Sequence, residues 1–162
     1  MGYHLTVNDA AQTQSTRESR HDMLVTTKGR YAMRLMVYIA SCPGRKVALR
    51  EVSENESISL KYLEQLAHEM VKADLLTSVR GHGGGYLLAR DAADIKAGDV
   101  LRAAEGTTAP VACAALEKDG MCPREDMCST IEFWAGLDRT IEEFVDGVTL
   151  ADLAEPILAV QI

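Results

Sequence analysis

The chain has 162 residues, of which 47% are hydrophobic and 25% are charged, and its formal net charge is -7. These values are typical of a globular protein that can bury a core, and they exclude a fibrous or wholly disordered chain. No segment approaches the roughly 20 consecutive apolar residues of a membrane-spanning helix, and residues 1–23 lack the apolar core of a secretory signal. We therefore expect a cytoplasmic protein without a membrane partner.

The charge is distributed unevenly along the chain. Residues 24–90 contain ten Lys or Arg and six Asp or Glu, whereas residues 91–162 contain five Lys or Arg and fifteen Asp or Glu. A basic segment attracts the phosphates of a nucleic acid even when the whole chain is acidic. The first half of the chain is therefore the candidate for a nucleic-acid partner.

A helix-turn-helix is predicted after a polar extension. Residues 1–22 show no periodicity and predict a disordered segment. Apolar residues then recur with helical spacing from Thr27 until Cys42-Pro43-Gly44 ends the first helix. A short helix fits Leu49 to Glu56, and another begins after the N-cap Ser59. The apolar residues of this third helix share one face: Leu60, Leu63, Leu66, Ala67 and Met70.

A β-hairpin is predicted next, with strands at 75–80 and 86–89 around the glycine-rich loop 81–85. A glycine-rich loop can also bind a nucleotide phosphate, but such a loop runs from a strand into a helix. Here the loop joins two strands, so we interpret the hairpin as the wing of a winged helix-turn-helix. In this arrangement the second helix of the pair enters the major groove and the wing reaches the backbone or minor groove beside it.

The remaining chain predicts a helix at Ile95 to Ala104 closed by Gly106, a cysteine-containing loop, a long helix and a last short helix from Thr149. Ser129 and Glu132 have the spacing of a capping box, so the long helix should run from Ser129 to about Gly147. One apolar stripe follows this helix: Trp134, Leu137, Ile141, Phe144 and Val148. Such a stripe indicates dimerisation through paired helices, or alternatively docking on the protein's own core.

The polar residues of the third helix are candidate base readers because lysine, glutamate and glutamine pair with base edges in the major groove. They are Lys61, Glu64, Gln65 and His68, and Arg80 and His82 are the candidates on the wing. The alternative is an ordinary solvated helix face. The wing and the charge distribution favour DNA.

Three of the four cysteines lie close together, at Cys113, Cys122 and Cys128, and Cys42 stands apart as a small half-buried side chain. Thiolates bind iron-sulfur clusters or zinc, and neither cysteine gap has the short spacing of zinc ligand pairs, which favours a cluster. Three unrelated cysteines are the alternative. Since residues 91–162 contain no histidine, a fourth ligand would be a carboxylate such as Glu125, Asp126 or Glu132, solvent, or a group from a partner chain.

Several motifs resemble the Rrf2 family of winged-helix transcription regulators. They are Thr27-Lys-Gly-Arg-Tyr-Ala-Met-Arg, Ile58-Ser-Leu-Lys-Tyr-Leu-Glu-Gln-Leu, Ser78-Val-Arg-Gly-His-Gly-Gly-Gly-Tyr-Leu-Leu and Thr149-Leu-Ala-Asp-Leu. The resemblance covers about residues 23–155. It implies a mostly α-helical fold with a small β wing, consisting of a winged helix-turn-helix and a long C-terminal dimerisation helix. Within these motifs we also place Lys28, Ser59 and Tyr62 among the predicted DNA contacts.

The resemblance further implies a homodimer that binds operator DNA and holds an iron-sulfur cluster, 2Fe-2S or 4Fe-4S, on Cys113, Cys122 and Cys128. Two positions depart from known ligand sets. Ile131 stands where IscR-type members have a histidine ligand, and Arg30 stands where NsrR-type members have a carboxylate. The gap between the first two cysteines is also longer than in IscR.

The predicted organisation is an extension at 1–22, a winged helix-turn-helix DNA-binding domain at 23–90, and a sensor loop with a dimerisation helix at 91–162. The predicted function is transcription regulation that senses iron-sulfur, redox or nitric oxide status. One alternative is a cluster-free regulator that acts by thiol oxidation or through a partner protein. A small thiol or metal enzyme is disfavoured, because the chain has no Cys-x-x-Cys and no histidine in the cysteine region.

Overall fold

The computed structural model describes residues 25–111 and 127–154. Its elements, in chain order, are α1 (Thr27–Ala40), α2 (Leu49–Glu56), α3 (Leu60–Lys72), β1 (Leu76–Val79), β2 (Gly85–Leu88), a 3₁₀ turn (Ala92–Asp94), α4 (Ala97–Glu105), α5 (Ile131–Gly147) and α6 (Leu150–Ala154). The structure is mostly α-helical with one small sheet, as predicted. The predicted N-terminal extension, Cys113 and Cys122 lie outside the described residues.

The helix-turn-helix forms as its capping residues predict. The Thr26 hydroxyl accepts a hydrogen bond from the Lys28 amide (3.0 Å) and starts α1, and the Ser59 hydroxyl accepts one from the Tyr62 amide (3.4 Å) and starts α3. Between α2 and α3 the Ser53 hydroxyl donates to the Ile58 carbonyl (2.6 Å), which fixes the turn. The turn between α2 and α3 is therefore held by a local polar contact.

The wing is an antiparallel hairpin in which Leu76 lies opposite Leu88 and Val79 lies opposite Gly85. Gly81 and Gly83 at its tip have φ angles of 102° and 72°, which favour glycine. Val47 adds a third, single-residue strand, because it forms an antiparallel bridge with Tyr86. The predicted wing is confirmed, and its outer edge is anchored by the segment that leads into α2.

One hydrophobic core joins the described elements. Its fully buried side chains come from α1, α2, α3, the residues that precede β1 and α4, α4 itself and the start of α6: Leu35, Met36, Val52, Leu63, Leu66, Met70, Leu75, Ile95, Val100 and Leu150. Residues on both sides of position 90 contribute to it, so α4 and α6 pack directly on the helix-turn-helix. The division of the chain into a DNA-binding part and a sensor part stays a prediction about function.

Two helix starts differ from the predictions. Ile95 is not helical, because its carbonyl accepts a hydrogen bond from the Leu150 amide (2.9 Å) and Lys96 forms a bridge with Thr149. This pairing holds the backbone extended, so α4 begins only at Ala97.

The capping box predicted at Ser129 and Glu132 is wrong. The Cys128 carbonyl accepts the Ile131 amide in a preceding turn, so the N-cap is Thr130, and Glu132 is one position too early to reach back. A reciprocal cap occurs at α6 instead, where the Asp152 carboxylate accepts from the Thr149 amide (2.8 Å) and the Thr149 hydroxyl accepts from the Asp152 amide (3.1 Å).

Candidate nucleic-acid interface and cysteine loop

The polar face of α3 is solvent-exposed. Leu63, Leu66 and Ala67 are buried, and the candidate base readers on the other side are exposed: Lys61, Glu64, Gln65 and His68. Within the described ranges none of these four forms an ion pair. Their hydrogen-bonding groups are therefore available to another molecule, which is what base reading requires.

Tyr62 and Ser59 have structural roles besides any contact with DNA. The half-buried Tyr62 ring packs edge-on against Tyr31 of α1, with ring centroids 5.9 Å apart and an interplanar angle of 78°. The Arg34 guanidinium lies 5.6 Å from the centre of the Tyr31 ring and pairs with Glu56 at 2.7 Å. The ring contact ties the recognition helix to α1, and the Arg34–Glu56 pair ties the end of α2 to α1. The sequence predicted neither, because nothing in the spacing of two tyrosines 31 residues apart signals a contact.

The wing tip presents its candidate contacts to solvent. Arg80 and His82 are exposed, and the amide of Gly84 donates to the carbonyl of Gly81 (2.9 Å) to close the tip turn. Lys28 lies half-buried in the first turn of α1. The DNA contacts assigned to these residues stay predictions.

A polar cluster joins the end of α1 to the start of α2. Arg45 donates to both carboxylate oxygens of Glu51 (2.7 and 2.8 Å), and the Tyr38 hydroxyl donates to the same carboxylate (3.0 Å). The hydrogen bonds from Arg45 and then Tyr38 lower the pKa of Glu51 to about 2. Arg45 also donates to the Cys42 sulfur (2.9 Å), and Cys42 is half-buried as predicted. These polar contacts hold the loop between α1 and α2 in place, and Val47 of this loop pairs with the wing.

Glu105, the last residue of α4, binds the N-terminus of α1. One of its carboxylate oxygens accepts hydrogen bonds from the Thr26 amide (2.9 Å), the Thr26 hydroxyl (2.7 Å) and the Gly29 amide (2.8 Å). A negative charge is favourable at the start of a helix and unfavourable at its end, so the start of α1 compensates the position of Glu105 in α4. The predicted helix ended at Ala104, and no local sequence pattern around Glu105 signals this partner. The contact joins the helix-turn-helix to the segment that leads into the cysteine loop.

Cys128 is the cluster candidate that lies within the described residues. It is half-buried, three residues before α5, and its sulfur lies 3.4 Å from the Thr130 hydroxyl. In residues 25–111 and 127–154 no three His, Cys, Asp or Glu side chains come together as a metal site. Glu132 is exposed in the first turn of α5, and Glu125 and Asp126 lie outside the described residues. The ligand set stays a prediction.

The predicted stripe of α5 is half-buried except at Phe144, which is exposed. The buried residues of this helix are Ala135 and Val145, whereas Phe144 is 71% exposed and the stripe's other members are half-buried: Trp134, Leu137, Ile141 and Val148. Phe144 borders an apolar groove of about 480 Å³ whose walls come from α1, α4, α5 and α6. A partner that covered the α5 stripe and the groove would remove both apolar surfaces from water.

A helix-turn-helix with a solvated polar recognition face and a glycine-tipped wing defines a winged-helix DNA-binding protein. Residues 25–156 match the Rrf2 family model, described as an iron-dependent transcriptional regulator. The chain is 43% identical to the transcriptional regulator IscR of Sodalis glossinidius over 132 residues, 81% of this chain and 78% of the relative. The chain belongs to the Rrf2 family, whose members are transcriptional regulators and not enzymes.

Solved structures agree with this assignment. IscR of T. potens has a TM-score of 0.68 and 36% identity, over 86% of this chain and 91% of that one. CymR, the global cysteine regulator of B. subtilis, has a TM-score of 0.69 and 32% identity, over 81% of this chain and 95% of that one. In the part of the chain that the structure describes, no helix is long and apolar enough to cross a membrane.

Proposed function

We propose that this regulator binds operator DNA as a homodimer and senses iron-sulfur, redox or nitric oxide status through an iron-sulfur cluster. The observation that carries the DNA-binding part is the exposed polar face of α3, with Lys61, Glu64 and Gln65, together with exposed Arg80 of the wing. Further support comes from the description of the family as iron-dependent and the similarity to proteins named IscR.

The residues proposed to hold the cluster are Cys113, Cys122 and Cys128. Thiolates are the usual ligands of such clusters, so the donor chemistry fits, and half-buried Cys128 is accessible at the start of the long helix. When bound, the cluster would supply iron that responds to oxidants or to nitric oxide. The fourth ligand is proposed to be a carboxylate, solvent or a group from the partner chain.

The chain's own residues offer a route from the cysteine loop to the DNA-binding unit. Glu105 precedes the cysteine loop in the chain and binds the first turn of α1 through Thr26 and Gly29. In turn, α1 contacts the recognition helix through Tyr31 and Tyr62. A change in the position of the loop is thereby expected to alter the orientation of α3.

The homodimer is proposed to form through α5. Its support is the exposed Phe144 ring in a half-buried apolar stripe and the adjoining apolar groove, because an apolar surface of this kind is usually covered by a partner. We also propose that residues 23–90 bind DNA, that residues 91–162 sense and dimerise, and that the protein acts in the cytoplasm without a membrane partner.

The cluster is tested by anaerobic purification followed by absorption and Mössbauer spectra with iron and sulfide analysis. Coloured protein that loses its absorption in Cys113→Ala, Cys122→Ala and Cys128→Ala, but keeps it in the control Cys42→Ala, supports the proposal. A colourless, iron-free anaerobic preparation contradicts the cluster. DNA binding is tested separately by a mobility shift of promoter fragments.

The second candidate is a cluster-free regulator that responds by thiol oxidation or through a partner protein. It is favoured by the structural similarity to CymR, which is as close as the similarity to IscR, with TM-scores of 0.69 and 0.68. The triple alanine variant of Cys113, Cys122 and Cys128 tests it. Intact DNA binding with an unchanged response to oxidants in this variant would exclude thiol sensing by these residues.

A further inference from the structure

Arg50, the second residue of α2, is an exposed cation that the predicted DNA contacts do not include. The arginines near it are engaged with carboxylates, Arg45 with Glu51 and Arg34 with Glu56. Arg50 forms no ion pair with any residue in the described ranges, including exposed Glu54 one helical turn further on. Its charge is therefore available to a partner, and the position of α2 indicates which one.

The pairing of Val47 with the wing places the start of α2 on the side of the wing tip. The Val47 amide donates to the Tyr86 carbonyl (2.9 Å) and the Tyr86 amide donates to the Val47 carbonyl (2.8 Å). Since the bridge is antiparallel, the chain after Val47 runs alongside Gly85 towards the tip. A Cβ added to Gly85 would lie 2.7 Å from the Val47 carbonyl oxygen, so the two backbones are in close contact.

The same register places Lys46 on the opposite side of the bridge. The chain before Val47 runs towards Leu87 and the base of the wing, away from Arg80 and the tip. Lys46 is exposed and, in the described part of the chain, also lacks an ion pair. Lys46 and Arg50 thus have the same charge and similar exposure, but different positions relative to the wing tip.

The orientation of α2 keeps Arg50 in solvent. Leu49 and Val52 of this helix are buried, and Arg50 lies on the side away from them. The N-cap residue Ala48 provides no side-chain hydrogen bond to the first turn. The charge of Glu51, the acidic residue of this turn, is compensated by Arg45. Arg50 and Glu54 are thus the charged side chains of α2 that form no ion pair in the described ranges.

We propose that Arg50 binds a DNA phosphate beside the major groove that receives α3, next to the phosphate reached by the wing. This inference rests on the proposed DNA binding and adds a contact that positions the protein without reading sequence. Each phosphate neutralised by a cation releases counterions, so the contact contributes to the dependence of affinity on salt.

The experiment compares Arg50→Gln with the matched control Lys46→Gln. A fluorescein-labelled duplex, selected by the wild-type protein from a randomised library, is titrated by anisotropy over a series of KCl concentrations. We expect Arg50→Gln to weaken binding by about three- to tenfold and to reduce the slope of log K against log salt by about 0.9 for each phosphate that the variant no longer neutralises. Lys46→Gln should match wild type, and Arg50→Lys should retain the wild-type slope.

The outcomes separate this inference from the proposed function. Failure of the wild-type protein to bind any duplex overturns both. If wild type binds, and Arg50→Gln and Lys46→Gln both keep its affinity and slope, the Arg50 contact is overturned while DNA binding stands. An equal loss of affinity in Arg50→Gln and Lys46→Gln also overturns it, because a general charge effect then explains the change. Circular dichroism of each variant verifies that the fold is retained.

Discussion

The helices α3 and α5 both bury one face and expose charged side chains on the other, but of the two only α5 also exposes large apolar side chains. On α3 the exposed side chains are polar and include Lys61, Gln65 and His68, whereas α5 exposes the aromatic rings of Phe133 and Phe144. A polar face is stable in water and can exchange its hydration for hydrogen bonds to bases, but an apolar face gains free energy when a partner removes it from water. The difference indicates a DNA partner for α3 and a protein partner for α5.

The largest expected effect comes from the buried side of α3. Leu63 is 0% exposed, so Leu63→Ala leaves a cavity and should lower the free energy of unfolding by about 2–5 kcal/mol in urea denaturation. The control is Leu153→Ala in α6, at a position that is 40% exposed. Equal losses of stability in the two variants would contradict the assignment of Leu63 to the core.

The next prediction concerns self-association through the exposed apolar side chains of α5. Phe144→Asp places a charge in the proposed dimer contact, and we expect sedimentation to show at least a roughly tenfold weaker self-association. Glu143→Ala, at the adjacent exposed position, is the control and should sediment as wild type. Unchanged association of Phe144→Asp would mean that another surface forms the dimer.

The polar face of α3 is tested by Gln65→Ala. A glutamine that pairs with a base contributes about 1–3 kcal/mol of discrimination, so this variant should bind single-base variants of a selected duplex with more similar affinities. Competition binding measures the change. Lys72→Ala, at the C-terminal end of the same helix, is the control, and a variant Gln65→Ala that keeps full discrimination would show that Gln65 does not read a base.

The link between the two regions is tested at Glu105. Removing the carboxylate in Glu105→Ala leaves the Thr26 and Gly29 amides without this acceptor, and we expect a decrease of about 1–2 kcal/mol in the free energy of unfolding. Hydrogen exchange should also be faster in the first turn of α1. A variant with wild-type exchange there would contradict the contact.

The smallest effect concerns pH. The pKa of Glu51 lies at about 2, below its ordinary value of 4.5, so its ionised form stabilises the fold above pH 4.5 and this contribution is lost as the pH falls towards 2. The difference in stability between wild type and Glu51→Gln should therefore shrink over this range. Exposed Glu54→Gln is the control and should follow wild type, and a difference that grows on acidification would contradict the Arg45 pairing.

The sequence predicted elements whose signals are local and missed contacts between distant residues. The bounds of α2, the Ser59 cap and the glycine-rich wing follow from spacing and from capping chemistry, which act over a few residues. The Glu105 contact with α1 spans 76 residues from Gly29, and no local pattern encodes it. The predicted start of α4 is wrong for the same reason, since Ile95 is held extended by Leu150.

The same distinction between local sequence signals and contacts of distant residues holds for the candidate site. The sequence placed Lys61, Glu64 and Gln65 on the exposed face of α3 because helical periodicity fixes which side is apolar. It could not show that Tyr62 packs on Tyr31, or that Val47 pairs with Tyr86 of the wing, because both depend on tertiary packing.

The bridge between Lys96 and Thr149 has a topological consequence. The Ala97 amide donates to the Val148 carbonyl (2.9 Å), and the Leu150 amide donates to the Ile95 carbonyl (2.9 Å). The segment between these residues, which contains α4, the cysteines and α5, thus has its two ends joined at one point of the core. Insertions within it leave those ends in place, so the spacing of the cysteines can change while the DNA-binding elements keep their positions.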